Sequence, residues 1–378
     1  MSAGSPARIP LVDLAAQYAA IAPELEAAAL GVLRSGHWVL GPAVESFERA
    51  VARYLGVPHA IGVASGSDAL LLALMALDVG PGDEVITTPF SFFATVSSIT
   101  RLGATPVFAD IAPGDFLIDP AAVRAAVTPR TRAILPVHLY GLCADFAALD
   151  DVARSARVAI VEDSAQAIGA ERDGRRAGAV GDLAAFSFYP TKNLGAAGDA
   201  GLVTALDDRV AARVRRLRVH GSEERYVHVE VGINSRMDGV QGAILEVKLR
   251  HLDRWSDARA ERAATYSALL RDAGLDAIVA LPQVPAAARH IFHQYVIRTP
   301  RRDELRAHLA RTGIASEVYY PIPLHLQECF EFLGYRRGDL PESERAADEV
   351  LALPIYPELE RSQQERVVGA IADFFAGR

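Results

Sequence analysis

Residues 182–201, DLAAFSFYPTKNLGAAGDAG, decide how the rest of the chain is read. The apolar, aromatic run at 184–189 has the character of a buried strand, and it delivers a single lysine, Lys192, into a glycine-rich loop. A hydroxyl, Ser187, precedes that lysine on the same excursion. Upstream, a second apolar run, VAIV at 158–161, ends in EDSAQ at 162–166. Two strands that end in reactive side chains predict a sheet whose strand ends form a site.

Working outward, the chain from about residue 56 to 205 alternates helical and strand patterns. SDALLLALMAL at 67–77 predicts an apolar helix, while DEVITT at 83–88 and TPVFAD at 105–110 predict short strands with polar ends. RAILPVHL at 132–139, residues 158–162 and residues 183–189 continue the series. Such alternation predicts an α/β fold, a mostly parallel sheet covered on both faces. Sites in such sheets lie at strand ends and the loops that follow.

Past residue 237 the pattern changes. Residues 238–274 read as one long, nearly uninterrupted helix closed by glycine. HQYVIR at 293–298 predicts a strand, 302–313 a helix, and ASEVYY at 315–320 another strand. A further helix is expected over about 22–34. With 378 residues the chain has room for two domains. The division expected is 1–250 for a large domain that includes the N-terminal helix and 251–378 for a smaller one, entered through the long helix.

Bulk properties exclude several classes of function. There are 39 Lys and Arg against 47 Asp and Glu, a net charge of −8. The richest basic stretch, RVRRLR at 213–218, has the spacing of a helix face, so nucleic-acid binding is not expected. Two cysteines, Cys143 and Cys329, suggest neither a disulfide framework nor a cysteine metal cluster. No signal peptide is read in residues 1–10 and no apolar run is long enough to span a bilayer, so a cytoplasmic protein is expected.

Candidate chemistry lies in a few positions. Small residues before the helix at 67–77 leave backbone N–H groups free for a phosphate, with Gly66 permitting close approach and Ser67 adding a hydroxyl. Asp163, at the rim of a buried strand, can hold a pyridinium nitrogen in its charged form, and the Lys192 amine can form a Schiff base with an aldehyde. Gln166 would lie near the ring's phenolic oxygen, Ser187 near its phosphate, and Phe92 could stack on the ring. Asn234 stands in a loop before the long helix. Each has an ordinary alternative: a Ser N-cap, a capping Asp, a surface Gln, a solvated Lys, a core Phe, a turn Asn. The constellation carries the specificity, and it points to pyridoxal 5′-phosphate. His290, His293 and His325 lack an acidic partner at zinc-like spacing, so no metal is expected.

Taken together, these segments resemble the DegT/StrS family of nucleotide-sugar aminotransferases. The resemblance runs from IPLVDLAAQY at 9–18 to LALPIYPEL at 351–359. Between them lie SGHWVLGP (35–42), SGSDAL (65–70), GPGDEVITTPFSF (80–92), PVHLYG (136–141), EDSAQAIGA (162–170), FSFYPTKNLGA (186–196), GINSRMD (232–238) and YYPIPLHLQ (319–327). It implies a fold-type-I pyridoxal phosphate transferase. The large domain would hold a mostly parallel, mixed seven-stranded sheet flanked by helices, and the smaller C-terminal domain would be α+β. By the same resemblance Lys192 is the Schiff-base lysine, Asp163 the partner of the pyridine nitrogen, Gln166 a neighbour of the phenolic oxygen and Phe92 the aromatic over the ring. Gly66, Ser67 and Ser187 match phosphate contacts. Asn234 matches an asparagine that reaches the phosphate from the other subunit, which implies a homodimer with shared active sites.

Trp38, His220, Tyr226, Arg236, Tyr319, Tyr320 and His325 fall in segments near the family's sugar-nucleotide pocket. The activity implied is transfer of an amino group from L-glutamate, leaving 2-oxoglutarate, to a keto sugar on a nucleotide diphosphate. Residues 136–141 and 317–327 look most like members acting at carbon 3; a 4-keto sugar is the alternative. Arg236 could pair with a uronic acid carboxylate, or serve the subunit interface. A deoxygenating branch carries histidine in place of the lysine, and Lys192 argues against it. A regulatory protein that keeps the fold without turnover is the rival from another class. Surface-polysaccharide and antibiotic-sugar biosynthesis both suit the expected product.

Overall fold

The computed structural model describes residues 8–377. Most of residues 1–10, where no signal peptide was read, therefore lie outside the described residues. Seven strands form the central sheet: β1 (His59–Val63), β2 (Glu84–Thr87), β3 (Thr105–Phe108), β4 (Thr131–Leu135), β5 (Ala159–Asp163), β6 (Leu183–Ser187) and β7 (Gly201–Ala205). Their spatial order is β1-β7-β6-β5-β4-β2-β3. Strands β2 to β6 run parallel, and β7 is antiparallel to both its neighbours. The mostly parallel, seven-stranded architecture expected from the sequence is present.

Alternate side chains of the strands explain why both faces are covered. Val85, Leu135 and Val161 point into one core, which the helix Gly66–Ala76 helps close with Leu70 and Leu74. Ile86, Ile134 and Ile160 point the other way, onto Val123 and Leu149 of the helices Pro120–Ala126 and Phe146–Ala156. Burial of both faces makes each strand a continuous apolar run, and the polar residues are left at the ends.

Four differences from the sequence reading have physical causes. The single long helix is two, Gly239–Leu249 and Leu252–Asp272. At the junction the Arg250 and His251 amides bond to carbonyls three residues back, a tightening that ends the first helix. The turn lets Leu252 join one core while Trp255 joins another. The expected strand at 315–320 makes only one bridge, Glu317 with Ala352. The partner of β8 (Tyr295–Arg298) is instead β9 (Val350–Leu353), antiparallel. Strands β1 and β7 were not read individually, because their alanines, glycines and valines form short runs beside loop-like glycines.

The N-terminal helix also differs, extending over Leu14–Ser35. It starts where Asp13 accepts the Ala16 amide at 2.9 Å, and Ile21, just before Pro23, leaves the helical conformation. Its buried Ile21 and Leu25 pack on Ile244, Val247 and Trp255.

Candidate active site

The C-terminal ends of β1, β5 and β6 meet at one rim of the sheet, where Gly201 pairs with both Val63 and Ser187. A cavity of about 570 Å³ opens there. Asp163 closes β5 and is only 4% exposed. Its Oδ2 accepts the Thr95 hydroxyl at 2.7 Å, and its Oδ1 accepts the Ala165 amide at 3.2 Å. Ser91 Oγ and Thr95 Oγ1, 2.8 Å apart, continue the chain of hydroxyls. Burial pushes the Asp163 carboxyl pKa up, and the Thr95 and Ala165 hydrogen bonds with the charge of Lys192 only partly offset it.

Lys192 lies on the turn after β6 and lines the same cavity. Its amide bonds to the Tyr189 carbonyl at 2.8 Å, and the Ala196 amide returns to Phe188 at 2.8 Å. The turn is this tight because residue 195 is glycine: a Cβ there would sit 2.2 Å from the Pro190 carbonyl oxygen. Desolvation draws the amine pKa down to about 8, against the pull of Asp163.

Close packing joins β6 to the helix Gly66–Ala76. A Cβ on Gly66 would lie 2.6 Å from the Cβ of Ser187. Ser65, rather than Ser67, caps that helix, accepting the Asp68 amide at 3.1 Å. The Ser67 hydroxyl is thus spared that role, and Ser67 and Ser187 both line the cavity. The Gly66 and Ser67 amides occupy first-turn positions that have no intrahelical acceptor. Two hydroxyls and a helix start therefore line the same cavity, a combination that suits an anion.

Gln166 is buried and doubly engaged. Its Oε1 accepts the Tyr140 amide at 2.7 Å and its Nε2 donates to the Tyr320 hydroxyl at 3.1 Å. Tyr140 donates its own hydroxyl to the Tyr319 carbonyl. Phe92 lines the cavity with its ring 6.1 Å from that of Tyr320, and is 57% exposed. Gly66, Ser67, Phe92, Asp163, Gln166, Ser187 and Lys192 are thus brought together, along with Tyr319 and Tyr320.

Six other candidates lie elsewhere. Trp38, His220, Tyr226, Asn234 and Arg236 are exposed, outside this chain's own cavity lining. Backbone pairing gathers them in one region: Val219 bridges Asn234, Val39 bridges Asp238, and the Gly239 amide bonds to the Trp38 carbonyl at 2.7 Å. His325 is buried, 3.1 Å from Glu344 and edge-on to Phe108 and Tyr335.

Several participants escaped the sequence reading. Thr95 and Ser91 stand four apart across the start of the helix Ala94–Thr100, a spacing that could have flagged a shared face, though nothing local pointed to Asp163. Glu162, adjacent to Asp163, points the other way and is fully buried. It accepts three amides, from Gly178, Val180 and Gly181, and meets His138 Nε2 at 2.9 Å. Burial alone would raise its pKa; these hydrogen bonds hold it below the usual carboxylate value. Among the described residues, no group of three or more His, Cys, Asp or Glu side chains is placed to hold a metal ion. Nor is any helix among them long and apolar enough to cross a membrane.

Comparison with known proteins extends this geometry. The DegT/DnrJ/EryC1/StrS aminotransferase family matches residues 19–372. A pleiotropic regulatory protein of Geobacillus stearothermophilus is 51% identical over 97% of this chain and 98% of its own length. The dTDP-3-amino-3,4,6-trideoxy-alpha-D-glucose transaminase of Streptomyces venezuelae is 46% identical, with 97% of this chain and 96% of that protein covered. Among solved structures, S. venezuelae DesV in complex with a ketimine intermediate superposes with a TM-score of 0.94 at 45% identity, covering 98% of this chain and 99% of that one.

Proposed function

The chain belongs to the DegT/DnrJ/EryC1/StrS aminotransferase family, and from that premise we propose that it moves an amino group from L-glutamate to the carbon-3 ketone of a nucleotide-diphosphate sugar. The observation that carries the reading is the placement of Lys192 and Asp163 on one cavity beside an anion-ready helix start. The name of the Streptomyces relative supports carbon 3.

Pyridoxal phosphate fits the residues present. Gly66 lets the helix start lie directly against Ser187, so that Ser67 and Ser187 bring two hydroxyls together beside it, and Asp163 supplies a buried carboxylate. In this assignment Lys192 holds the aldehyde carbon, Asp163 the ring nitrogen, Gln166 the phenolic oxygen side and Phe92 the ring face. When bound, the cofactor withdraws electrons from the substrate carbon and carries the amino group between the two substrates. The chain does the rest. With a pKa near 8, the Lys192 amine is neutral often enough near pH 7–8 to take a proton from the donor's α-carbon and to return one to the sugar carbon. Asp163, held in place by Thr95 and the Ala165 amide, would pair with the ring nitrogen. Tyr319 and Tyr320 line the same cavity and would flank a sugar bound there.

We propose further that the chain forms a homodimer, which would complete the remaining assignments. Tyr226 and Val231 are 81% and 90% exposed, in the region that also holds Trp38, Asn234 and Arg236. Exposed apolar side chains at that density suit a subunit interface, and a second copy would bring Asn234 to the phosphate. Arg236 and Trp38 would then face the sugar nucleotide. We also infer a division near residue 250, supported by the helix break at Arg250–His251. A cytoplasmic location accords with two free thiols, Cys143 and Cys329.

The regulatory name of the Geobacillus relative favours a second reading, cofactor binding without turnover. One experiment separates the two. Purified protein is given pyridoxal phosphate, glutamate and a panel of 3-keto and 4-keto sugar nucleotides, and aminated product is read by mass. Transfer is expected with a 3-keto sugar and is expected to fall on the order of a thousandfold or more in Lys192→Ala. A wild type that aminates nothing, or a variant that turns over normally, overturns the assignment.

A further inference from the structure

Glu162 and His138 are both fully buried, and the reaction proposed above uses neither. Their hydrogen bonds fix where the protons lie. His138 Nδ1 accepts the Ala144 amide at 3.1 Å, so that nitrogen bears no hydrogen. The hydrogen is therefore on Nε2, which lies 2.9 Å from Glu162 Oε2 and donates to it. The same oxygen accepts the Gly178 amide at 2.7 Å, while Oε1 accepts the amides of Val180 (2.9 Å) and Gly181 (2.7 Å). With two donors on each oxygen no position is left for a proton, and Glu162 is a carboxylate.

These contacts close a ring on Asp163. Its carbonyl accepts the His138 amide at 3.0 Å, and its amide donates to the Pro136 carbonyl at 2.9 Å. The segment that follows β4 thus grips the Asp163 backbone, and the His138 ring reaches from that same segment to Glu162, one residue before Asp163. On the opposite edge of β5 the Ser164 amide donates to the Ala185 carbonyl of β6 at 2.9 Å. The turn that holds Gly178, Val180 and Gly181 leads into β6, the strand that delivers Lys192. Thr204 of β7 anchors this turn, its hydroxyl donating to the Gly178 carbonyl at 2.7 Å.

We propose that Glu162 and His138 are positioning residues for Asp163: the buried carboxylate, tied by His138 to the segment after β4 and by three amides to the turn before β6, sets where β5 ends and so where Asp163 is aimed. The inference rests on Asp163 serving the cofactor's ring nitrogen as proposed above. Thr95 and the Ala165 amide hold the Asp163 oxygens, but the backbone from which that side chain springs is held by the ring of contacts through Glu162. An ionised side chain suits the task, because a carboxylate accepts four N–H groups at once. An amide in its place would turn an N–H toward some of those donors. Removing His138 would leave a buried charge short of a partner, which the strand end must move to satisfy.

Two measurements on the full-length chain test the proposal. In ¹⁵N-histidine-labelled protein without cofactor, with the signal assigned by its loss in His138→Gln, Nε2 should be protonated and Nδ1 not. In protein loaded with pyridoxal phosphate carrying ¹⁵N in its ring, the wild type should give the signal of a pyridinium. His138→Leu and Glu162→Gln should each move that signal toward the uncharged ring. The same two variants should lose roughly tenfold or more in kcat with KM for the donor little changed, and His138→Gln, which keeps an N–H for Glu162, should recover most of the loss. Residues that serve stability alone would lower the melting temperature and leave the ring-nitrogen signal unmoved. A hydrogen on Nδ1, or a folded Glu162→Gln whose ring-nitrogen signal and kcat match the wild type, overturns the proposal. If His138→Leu does not fold, Glu162→Gln decides, and if neither folds, the wild-type tautomer does. A failure of the amination reading would show separately, as a wild type that gives the pyridinium signal without turnover.

Discussion

Lys192 carries a cost that its role explains. An unfolded lysine titrates near 10.4, whereas this one is drawn down to about 8 by desolvation, with Asp163 as the smaller, opposing influence. Below pH 8 the folded chain holds a charge it solvates poorly, so the penalty is complete. Between 8 and about 10.4 the unfolded state binds more protons than the folded one, and stability rises with pH. Lys192→Met should therefore raise the melting temperature of the cofactor-free protein by roughly 1–3 °C at pH 7. That gain should shrink toward pH 10, and calorimetry at the two pH values checks it. At this scale the sequence was legible for Lys192, Asp163 and Ser187, because each ends or follows a recognisable apolar run, and for Gly66, because it precedes an apolar helix. It was not legible for Thr95, whose importance comes from its hydrogen bond to Asp163 across the fold.

At the scale of elements, the site is a strand end pressed against a helix start. Only glycine at 66 allows β6 and the helix Gly66–Ala76 to approach as they do, since a methyl group would meet Ser187 at 2.6 Å. Gly66→Ala should leave a folded chain with the two elements pushed apart. Absorbance titration is expected to show at least tenfold weaker pyridoxal phosphate binding, with pyridoxal lacking the phosphate much less affected. Equal losses for both ligands would place the phosphate elsewhere. Apolar runs with polar ends made β2 through β6 readable to within a few residues. The break at Arg250–His251 was not readable, because good helix formers continue through it and only the competing demands of two cores turn the chain there. The residues 315–320 misled in the other direction: a β-branched, aromatic run has strand propensity, but its tyrosines are used by the cavity wall.

For the whole molecule, the exposed cluster of Trp38, Tyr226, Asn234 and Arg236 gives the proposed dimer a direct test. Lys192→Ala and Asn234→Ala are each expected to be nearly inactive as homodimers. Mixed and allowed to exchange subunits, they should regain about a quarter of wild-type activity: half of the dimers are then mixed, and each mixed dimer has one site with both Lys192 and Asn234. No recovery despite demonstrated exchange would mean that Asn234 serves its own subunit. The amino-acid sequence by itself determined the alternation of strands and helices, the parallel sheet and the lysine and aspartate at its strand ends. Those are consequences of local periodicity and of apolar runs that must be buried on both sides. Only the tertiary structure decided that Ser65 and not Ser67 caps the helix, that Thr95 holds Asp163, and that His325 lies with Glu344 away from the cavity. These depend on hydrogen bonds between residues brought together by folding, and a hydrogen bond has a direction that no spacing along the chain records.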